Sequence, residues 1–333
     1  VAQMIRKQWL FVVLLVIGGV LPFIVPNQYY LYVTALGFIW AIAVYGLNLI
    51  TGYTGQLNLG HAGFFAIGAY TVGILTKAGM SFWMALGLGC LLTMVVGLLV
   101  GIISLRLREH YFAIFTLCVG FIIYLIIQQW DSLTGGVVGL IGVPYPEAIG
   151  PIIFENHPIN MYYLILFFLL CTVFFFSRIV HSIIGRTFTA IKNSEALAQT
   201  LGISLIRNKI VAFVLSTFFA GLAGGLYAVY IRFLGAEIGH VTITFDILMY
   251  LLVGGIGTIS GPIVGTLLVT WVTQYLNAWS EYRMIIFGPL LILLVIFSPK
   301  GIVGSLKGWM DNRKAKRLKA TTKDSQSNIK EAG

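Results

Sequence analysis

Apolar runs near membrane-spanning length alternate with short polar stretches along nearly the whole chain. A helix that crosses a bilayer takes about 20 predominantly apolar residues. Such runs are predicted at 9–25, 29–50, 82–105, 111–127, 161–176, 210–230 and 284–297. Two further stretches are interrupted. TGYTGQLNLGHAGF, from Thr51, is polar and glycine-rich and leads into an apolar run ending near Thr76. ILMYLLVGGIGTISGPIVGTLLVTWVTQYL, from Ile247 to Leu276, is two short apolar pieces split by glycine and proline. Counted as two short spans, the second stretch gives about ten crossings. Counted as a re-entrant hairpin it gives eight, and either number returns the chain to its starting side. The pattern predicts an all-α polytopic membrane protein with about 10 (8–10) transmembrane helices, two of whose segments are glycine-interrupted.

The two interruptions, Gly52 to Gly68 and Gly254 to Gly265, fall in the two halves of the chain. Paired interruptions of this kind point to a pathway built from broken helices. Irregular backbone at membrane depth is tolerated only where protein buries it or it lines a wet cavity. A competing reading is that the glycines only let helices approach closely. Gln56, Asn58 and His61 accompany the first break and favour a translocation path, with Gly254, Gly255 and Gly257 forming its second wall.

Composition supports lipid as the solvent. The chain has 333 residues, 59% hydrophobic and 10% charged, with mean hydropathy +0.94; soluble domains carry about 25% charge. The net charge of +10 matters less than its placement. Arg6 and Lys7 precede the first span. Arg106 and Arg108 follow the fourth, and Arg178, His181, Arg186, Lys192, Arg207 and Lys209 follow the sixth. The stretch from Trp130 to Pro158 holds Asp131, Glu147 and Glu155 but no Lys or Arg. The positive-inside rule then places both termini in the cytoplasm. Residues 1–299 are expected to form the membrane-spanning domain, with a cytoplasmic loop at about 181–209. Residues 300–333 are expected to form a basic, disordered cytoplasmic tail. That tail lacks interleaved aromatics for base stacking, which disfavours nucleic acid. The opening VAQMIRKQWL leads into a run with no small-residue cleavage site after it, so the run is read as a first span. Cys90, Cys118 and Cys171 lie inside apolar runs and read as small buried residues.

No GxSxG, HExxH, Walker A or paired intramembrane carboxylate pattern is present, so no enzyme activity and no metal site are expected. No carboxylate falls clearly mid-span. Proton-coupled carriers usually need an ionisable group there, and His61 is the nearest candidate.

The stretch GRTFTAIKNSEALAQTLGISLIRNK, Gly185 to Lys209, lies between two spans and is basic and periodic. Ala190, Ser194, Leu197, Leu201 and Leu205 follow spacings of three and four, as on one helical stripe. Ser194 can cap a helix start, Glu195 suits the positive end of its dipole, and Gly202 suits its stop. A short helix over about Ser194 to Leu201 is predicted. An interfacial helix on lipid is the alternative, but bulky apolar residues are few.

SEALAQTLGI resembles the loop by which bacterial ABC-importer permeases dock into their ATPases, with Glu195, Ala196 and Gly202 in matching places. Leu197 stands where that pattern has a second alanine, and the glycine comes one place later. YGLNLITGYTGQLNLGHAGFFAIGAY (Tyr45–Tyr70), LREHYFAIFTL (Leu107–Leu117), LTGGVVGLIGVP (Leu133–Pro144) and VGGIGTISGPIVGT (Val253–Thr266) resemble branched-chain amino-acid permeases of the LivM type. The resemblance implies a homologous LivH-type partner chain, two cytoplasmic ATPases that bind ATP and Mg, and a periplasmic or lipid-anchored binding protein. It implies no cofactor on this chain and a place in the bacterial cytoplasmic (inner) membrane. It also implies that Arg186, Lys192, Glu195, Ala196 and Gly202 couple to the ATPase, and that Thr134, Gly135 and Gly136 form an outer docking loop. Branched-chain amino acids are the implied cargo. Urea or short amides carried by related permeases, and a stand-alone secondary carrier, are the alternatives.

Overall fold

A computed structural model describes residues 15–23, 27–107, 109–148, 150–276 and 301–305. The expected last span at 284–297 and nearly all of the basic tail lie outside the described residues.

The described chain is helical almost throughout. Helix α1 covers 15–23. Then come α2 (Gln28–Leu47), which continues as a π turn over Asn48–Tyr53, α3 (His61–Lys77), α4 (Phe82–Ser104) and α5 (Glu109–Gln129). After a single turn, α6 (Asp131–Thr134), come β1 (Leu140–Ile141) and α7 (Pro158–His181). Two short helices, α8 (Ile183–Asn193) and α9 (Glu195–Thr200), lead into α10 (Leu205–Ile231). The series closes with β2 (Phe233–Leu234), a 3-10 turn at Ala236–Gly239, α11 (Val241–Gly254) and α12 (Gly261–Leu276). Among the described residues, five segments are long and apolar enough to cross a membrane: Gln28–Tyr53, Phe82–Ser104, His110–Gln129, Pro158–His181 and Leu205–Ile231. This is the all-α polytopic architecture expected.

The helices divide by what covers them. The most apolar window of α2 with its π turn is 89% buried, whereas those of α4 and α5 are 33% and 28% buried. Leu91, Leu99, Ile114, Ile122, Phe167 and Phe175 stand exposed on α4, α5 and α7, as on lipid-facing helices. Cys118 is exposed on α5, against the expectation that all three cysteines are buried; Cys90 is buried and Cys171 partly so. Around α2 pack α7, α10, α11 and α12. α3 and α10 touch backbone to backbone: a side chain on Gly68 would run into Gly221, and one on Gly224 into the Phe65 carbonyl. Small residues at such crossings let helices pack closely where lipid supplies no hydrophobic drive.

At the Lys77 end of α3 the outer-loop stretch is knitted to the end of α10. β1 pairs antiparallel with β2, Leu140 opposite Leu234 and Ile141 opposite Phe233. Arg232, in the left-handed conformation, donates from Nε to the Val143 carbonyl at 2.9 Å and lies over the Tyr145 ring. From there the chain turns back into the protein. Tyr70 Oη donates to the Leu234 carbonyl at 2.8 Å, and the Ala62 amide donates to Thr244 Oγ1 at 3.0 Å. The two contacts are made by residues eight positions apart on α3, about 12 Å of rise. The stretch after Arg232, which carries no apolar run of spanning length, therefore enters the spanning layer, and α11 begins beside the start of α3.

The short helix expected over about Ser194 to Leu201 is present as α9, but Ala190 and Leu205 lie on the neighbouring helices and do not continue its stripe. Ser194 is extended (φ −163°, ψ 112°), so α8 ends and α9 begins on a new axis. Ser194 Oγ accepts from the Leu197 amide at 3.2 Å as the cap of α9. At its other end Gly202 (φ +77°) donates to the Gln199 carbonyl at 2.9 Å and Ile203 to the Ala198 carbonyl at 3.1 Å, a Schellman stop. Ala198 is the residue α9 buries, while Leu197 and Leu201 are 62% and 71% exposed.

Candidate functional site

The first break starts where α2 loosens. The π turn Asn48–Tyr53 widens the helix, and 54–60 is irregular before His61 begins α3. π turns inside helices concentrate at functional sites. The irregular stretch folds back on itself. The Gln56 amide donates to the Ile50 carbonyl at 3.2 Å, and Thr51 Oγ1 donates to the Gln56 carbonyl at 3.2 Å. Asn58 Oδ1 accepts from the Gly60 amide at 3.0 Å, Thr116 Oγ1 accepts from the Leu59 amide at 3.1 Å, and His61 Nε2 lies 2.9 Å from the Ala43 carbonyl. Gln56, Asn58 and His61 are all buried. Asn58 Nδ2 and His61 Nδ1 have no hydrogen-bond partner among the described residues.

The second break is the turn between α11 and α12. Gly255 (φ +122°) and Gly257 (φ +71°) take backbone angles that side chains disfavour. A helix end leaves backbone groups without intrahelical partners, and inside a membrane these need protein partners. Local cover comes from Thr258, whose Oγ1 donates to the Gly255 carbonyl at 2.7 Å and accepts from the Gly261 amide at 3.0 Å.

The rest of the cover comes from the first break, and this joins the two. Asn48 is fully buried; its Oδ1 accepts from the Gly257 amide at 2.8 Å and its Nδ2 donates to the Thr258 carbonyl at 2.8 Å. Tyr45 Oη donates to the Ile259 carbonyl at 2.6 Å. A Cβ on Gly52 would sit 2.8 Å from the Gly257 amide nitrogen, so only glycine permits this approach. Gly301, at the start of the short described stretch 301–305, is seated against the Gly255 backbone. On the other side, Phe176 of α7 packs on Tyr45 and Tyr53, with centroids 4.8 and 5.6 Å away.

The α8–α9 segment rests on this junction. Lys192 Nζ donates to the Gly52 carbonyl at 2.7 Å. Glu195 Oε1 accepts from Lys209 Nζ at 2.6 Å and from Gln56 Nε2 at 3.4 Å. The pair is unevenly covered: the Lys209 side chain is 7% exposed and that of Glu195 37%. It opens onto a cleft of about 500 Å³ also lined by Arg106, His110, Gln199 and Ile206.

The structure thus brings Gln56, Gly257, Lys192 and Glu195 to one junction, with Asn58, His61, Gly254 and Gly255 in the same two breaks. Arg186, Ala196 and Gly202 lie on the exposed side of α8–α9. Thr134, Gly135 and Gly136 lie apart, in the loop that follows α5. Thr134 is buried and donates from Oγ1 to the carbonyls of Ile127 and Trp130; Gly135 and Gly136 have φ of +78° and +54°. Sequence reasoning missed Tyr45, Asn48, Thr258 and Lys209. The signal for Asn48 was present: an amide inside an apolar run, one helical turn from Tyr45 and another from Gly52. Among the described residues no group of three or more His, Cys, Asp or Glu could hold a metal ion.

A bundle of membrane-length helices in which two broken segments interlock is the architecture of a polytopic membrane permease. Residues 29–295 match the family described as "Branched-chain amino acid transport system / permease component", and the chain belongs to that family. It is similar to the high-affinity branched-chain amino acid transport permease LivM of Escherichia coli K12, 31% identical over 320 residues, covering 89% of this chain and 75% of that one. It is also similar to a probable LivM permease of Methanocaldococcus jannaschii, 22% identical over 316 residues, covering 80% and 90%. Similarity to LivH of E. coli K12 is 26% over 296 residues, covering 81% and 92%. These matches support the LivM type. No solved structure matches.

Proposed function

We propose that this chain is one of two permease subunits of an ATP-driven importer of branched-chain amino acids in a bacterial cytoplasmic membrane. The single observation that carries the reading is the seating of α8 and α9, two helices outside the spanning bundle, on the junction of both breaks. Two ATPase subunits, which bind ATP and Mg, grip this segment from the cytoplasm. Its exposed side presents Arg186, Ala196, Leu197, Leu201 and Gly202. The chain itself hydrolyses nothing. Both termini are cytoplasmic, and the Thr134–Gly136 loop, on the far side of the membrane, faces the binding protein.

The path runs between this chain and its homologous partner. It opens when the junction parts, which brings Gln56, Asn58 and His61 to one wall and the Gly254–Gly257 turn to the other. A zwitterionic apolar amino acid needs a wet passage that does not hold it. Amides, an imidazole and backbone carbonyls supply that without fixed charge.

The test is uptake of labelled leucine, valine and urea by vesicles holding the complete complex, with and without ATP and binding protein. ATP-dependent accumulation of leucine and valine is expected. Accumulation of urea alone would move the cargo to the amide branch. Accumulation by this chain alone from an ion gradient would overturn the proposal.

A further inference from the structure

Two charged residues of the α8–α9 segment, Lys192 and Glu195, turn away from where a motor would meet it. Lys192 is an exposed residue of α8, yet its ammonium turns inward. Its stem passes Gly55, where an added Cβ would stand 3.4 Å from Cγ, and its ammonium reaches the Gly52 carbonyl at 2.7 Å. The same ammonium lies 3.7 Å from where a Cβ of Gly257 would be. One side chain therefore touches the first break by a charge-assisted bond and lies against the second. Glu195, the first residue of α9, likewise turns inward, accepting from Lys209 of α10 and from Gln56 of the first break. What faces outward on α9 is Ala196, Leu197, Gln199 and Thr200, none of them charged.

We propose that Lys192 is the positioning residue by which the solvent-side segment holds the two breaks closed, with Gln56–Glu195–Lys209 as a second tie. The inference rests on the proposed ATP-driven permease reading, and it assigns the segment a direct link to the junction besides the indirect one through α7 and α10. The Gly52 carbonyl belongs to the end of the π turn, where carbonyls lack helical partners and a cation is favoured. The bond has short travel. Hydrogen bonds of this kind fade beyond about 3.2 Å between heavy atoms, so a shift of α8 by roughly 1 Å releases Gly52 and frees the Asn48–Gly257 contact to part. Shifts of about 1–2 Å between packed helices are ordinary in switching proteins. A motor that pushes on Ala196, Leu197 and Leu201 then withdraws Lys192 from the junction without touching it.

The test uses the complete complex in vesicles, with leucine uptake and ATP hydrolysis measured in parallel, and hydrogen–deuterium exchange of residues 48–60 in the same complex. Lys192→Met is expected to leave ATPase subunits bound and hydrolysis running. It should lower leucine moved per ATP by about tenfold, the factor carried by one lost charge-assisted hydrogen bond. Exchange in 48–60 should rise. Lys192→Arg, which keeps charge and donor, should restore both, and Gln56→Leu should cause a smaller change in the same direction. A Lys192→Met complex with the parental leucine-to-ATP ratio and unchanged exchange overturns the proposal. So does loss of the ATPase subunits on purification, which would make Lys192 a motor contact. Absence of ATP-driven uptake in the parental complex would instead sink the permease reading, while the exchange comparison still decides the bond.

Discussion

Replacing Asn48 by leucine separates the junction's hydrogen bonds from its packing. The two side chains branch alike and hold the same number of heavy atoms, so the shape is nearly kept at this fully buried site, with leucine the somewhat bulkier of the two. What is removed is a matched donor and acceptor, leaving the Gly257 amide and the Thr258 carbonyl without the Asn48 partner. In a water-soluble protein each orphaned group costs about 1–3 kcal/mol. Measured side-chain hydrogen bonds between membrane helices average about 0.6 and reach about 1.7 kcal/mol, because the unfolded chain also finds partners in the bilayer. The second scale applies to the spanning bundle, which gives about 1–3 kcal/mol for the pair. Tyr45→Phe removes one bond, to the Ile259 carbonyl, and should cost about half as much. The assay is thermal unfolding of the purified permease pair in detergent, followed by leucine uptake in vesicles. A loss of about 1–3 kcal/mol between two packings shifts their ratio by roughly 5- to 150-fold. Asn48→Leu should therefore favour the parted junction and raise ATP hydrolysis without cargo. If Tyr45→Phe lowers stability more than Asn48→Leu, or if Asn48→Leu matches the parent in both assays, the junction is held by packing and not by these bonds.

Three other substitutions probe separate parts. Gly255→Val places a branched side chain at φ +122°, an angle such residues strongly disfavour, and leucine uptake should fall to background while the chain still inserts; normal uptake would make the second break mere packing. Gly136→Ala adds a methyl at φ +54° directly onto the Asp131 carboxylate, so stimulation by the binding protein should drop while assembly with the partner chain is kept. Gly68→Leu forces α3 off the Gly221 backbone and should cost about 1–3 kcal/mol or more as overpacking, read as a lower unfolding temperature of the permease pair.

The spans were legible because one signal, length of apolar run, decides them. The run expected at 82–105 is helix Phe82–Ser104, and that expected at 210–230 lies within Leu205–Ile231. Lipid on one side and protein on the other both accept apolar side chains, so hydropathy alone finds the helix whichever face is buried. The start of α11 was hidden for the opposite reason. Thr242, Thr244 and Asp246 look like loop, yet His240 caps the helix through its bond from the Thr242 amide, and the Thr244 hydroxyl is taken up by Ala62. Polar residues inside a span read as its end until their partners are known. The short helix after Ser194 was legible from its cap and from the glycine that stops it; what the spacing did not show is that Ala190 and Leu205 belong to the helices on either side.

The junction was the least legible feature, and the reason is range. Asn48 and Thr258 are 210 positions apart, and no periodicity connects them. What the sequence offered was a pair of needs: an amide stranded in an apolar run, and a glycine turn whose backbone groups had lost their helix. A buried amide must be bonded, and freed backbone at membrane depth must be covered. Each need is met by the other here, at matching distances of 2.8 Å. The same logic accounts for Lys192. A cation reaching inward from a solvent-side helix has a reason only if carbonyls await it, and a helix interrupted by glycine is where carbonyls become available. Two weak signals in one sequence, a break and a stray polar group, thus become one strong expectation when read together: each break should be looked for beside the polar residue that covers it.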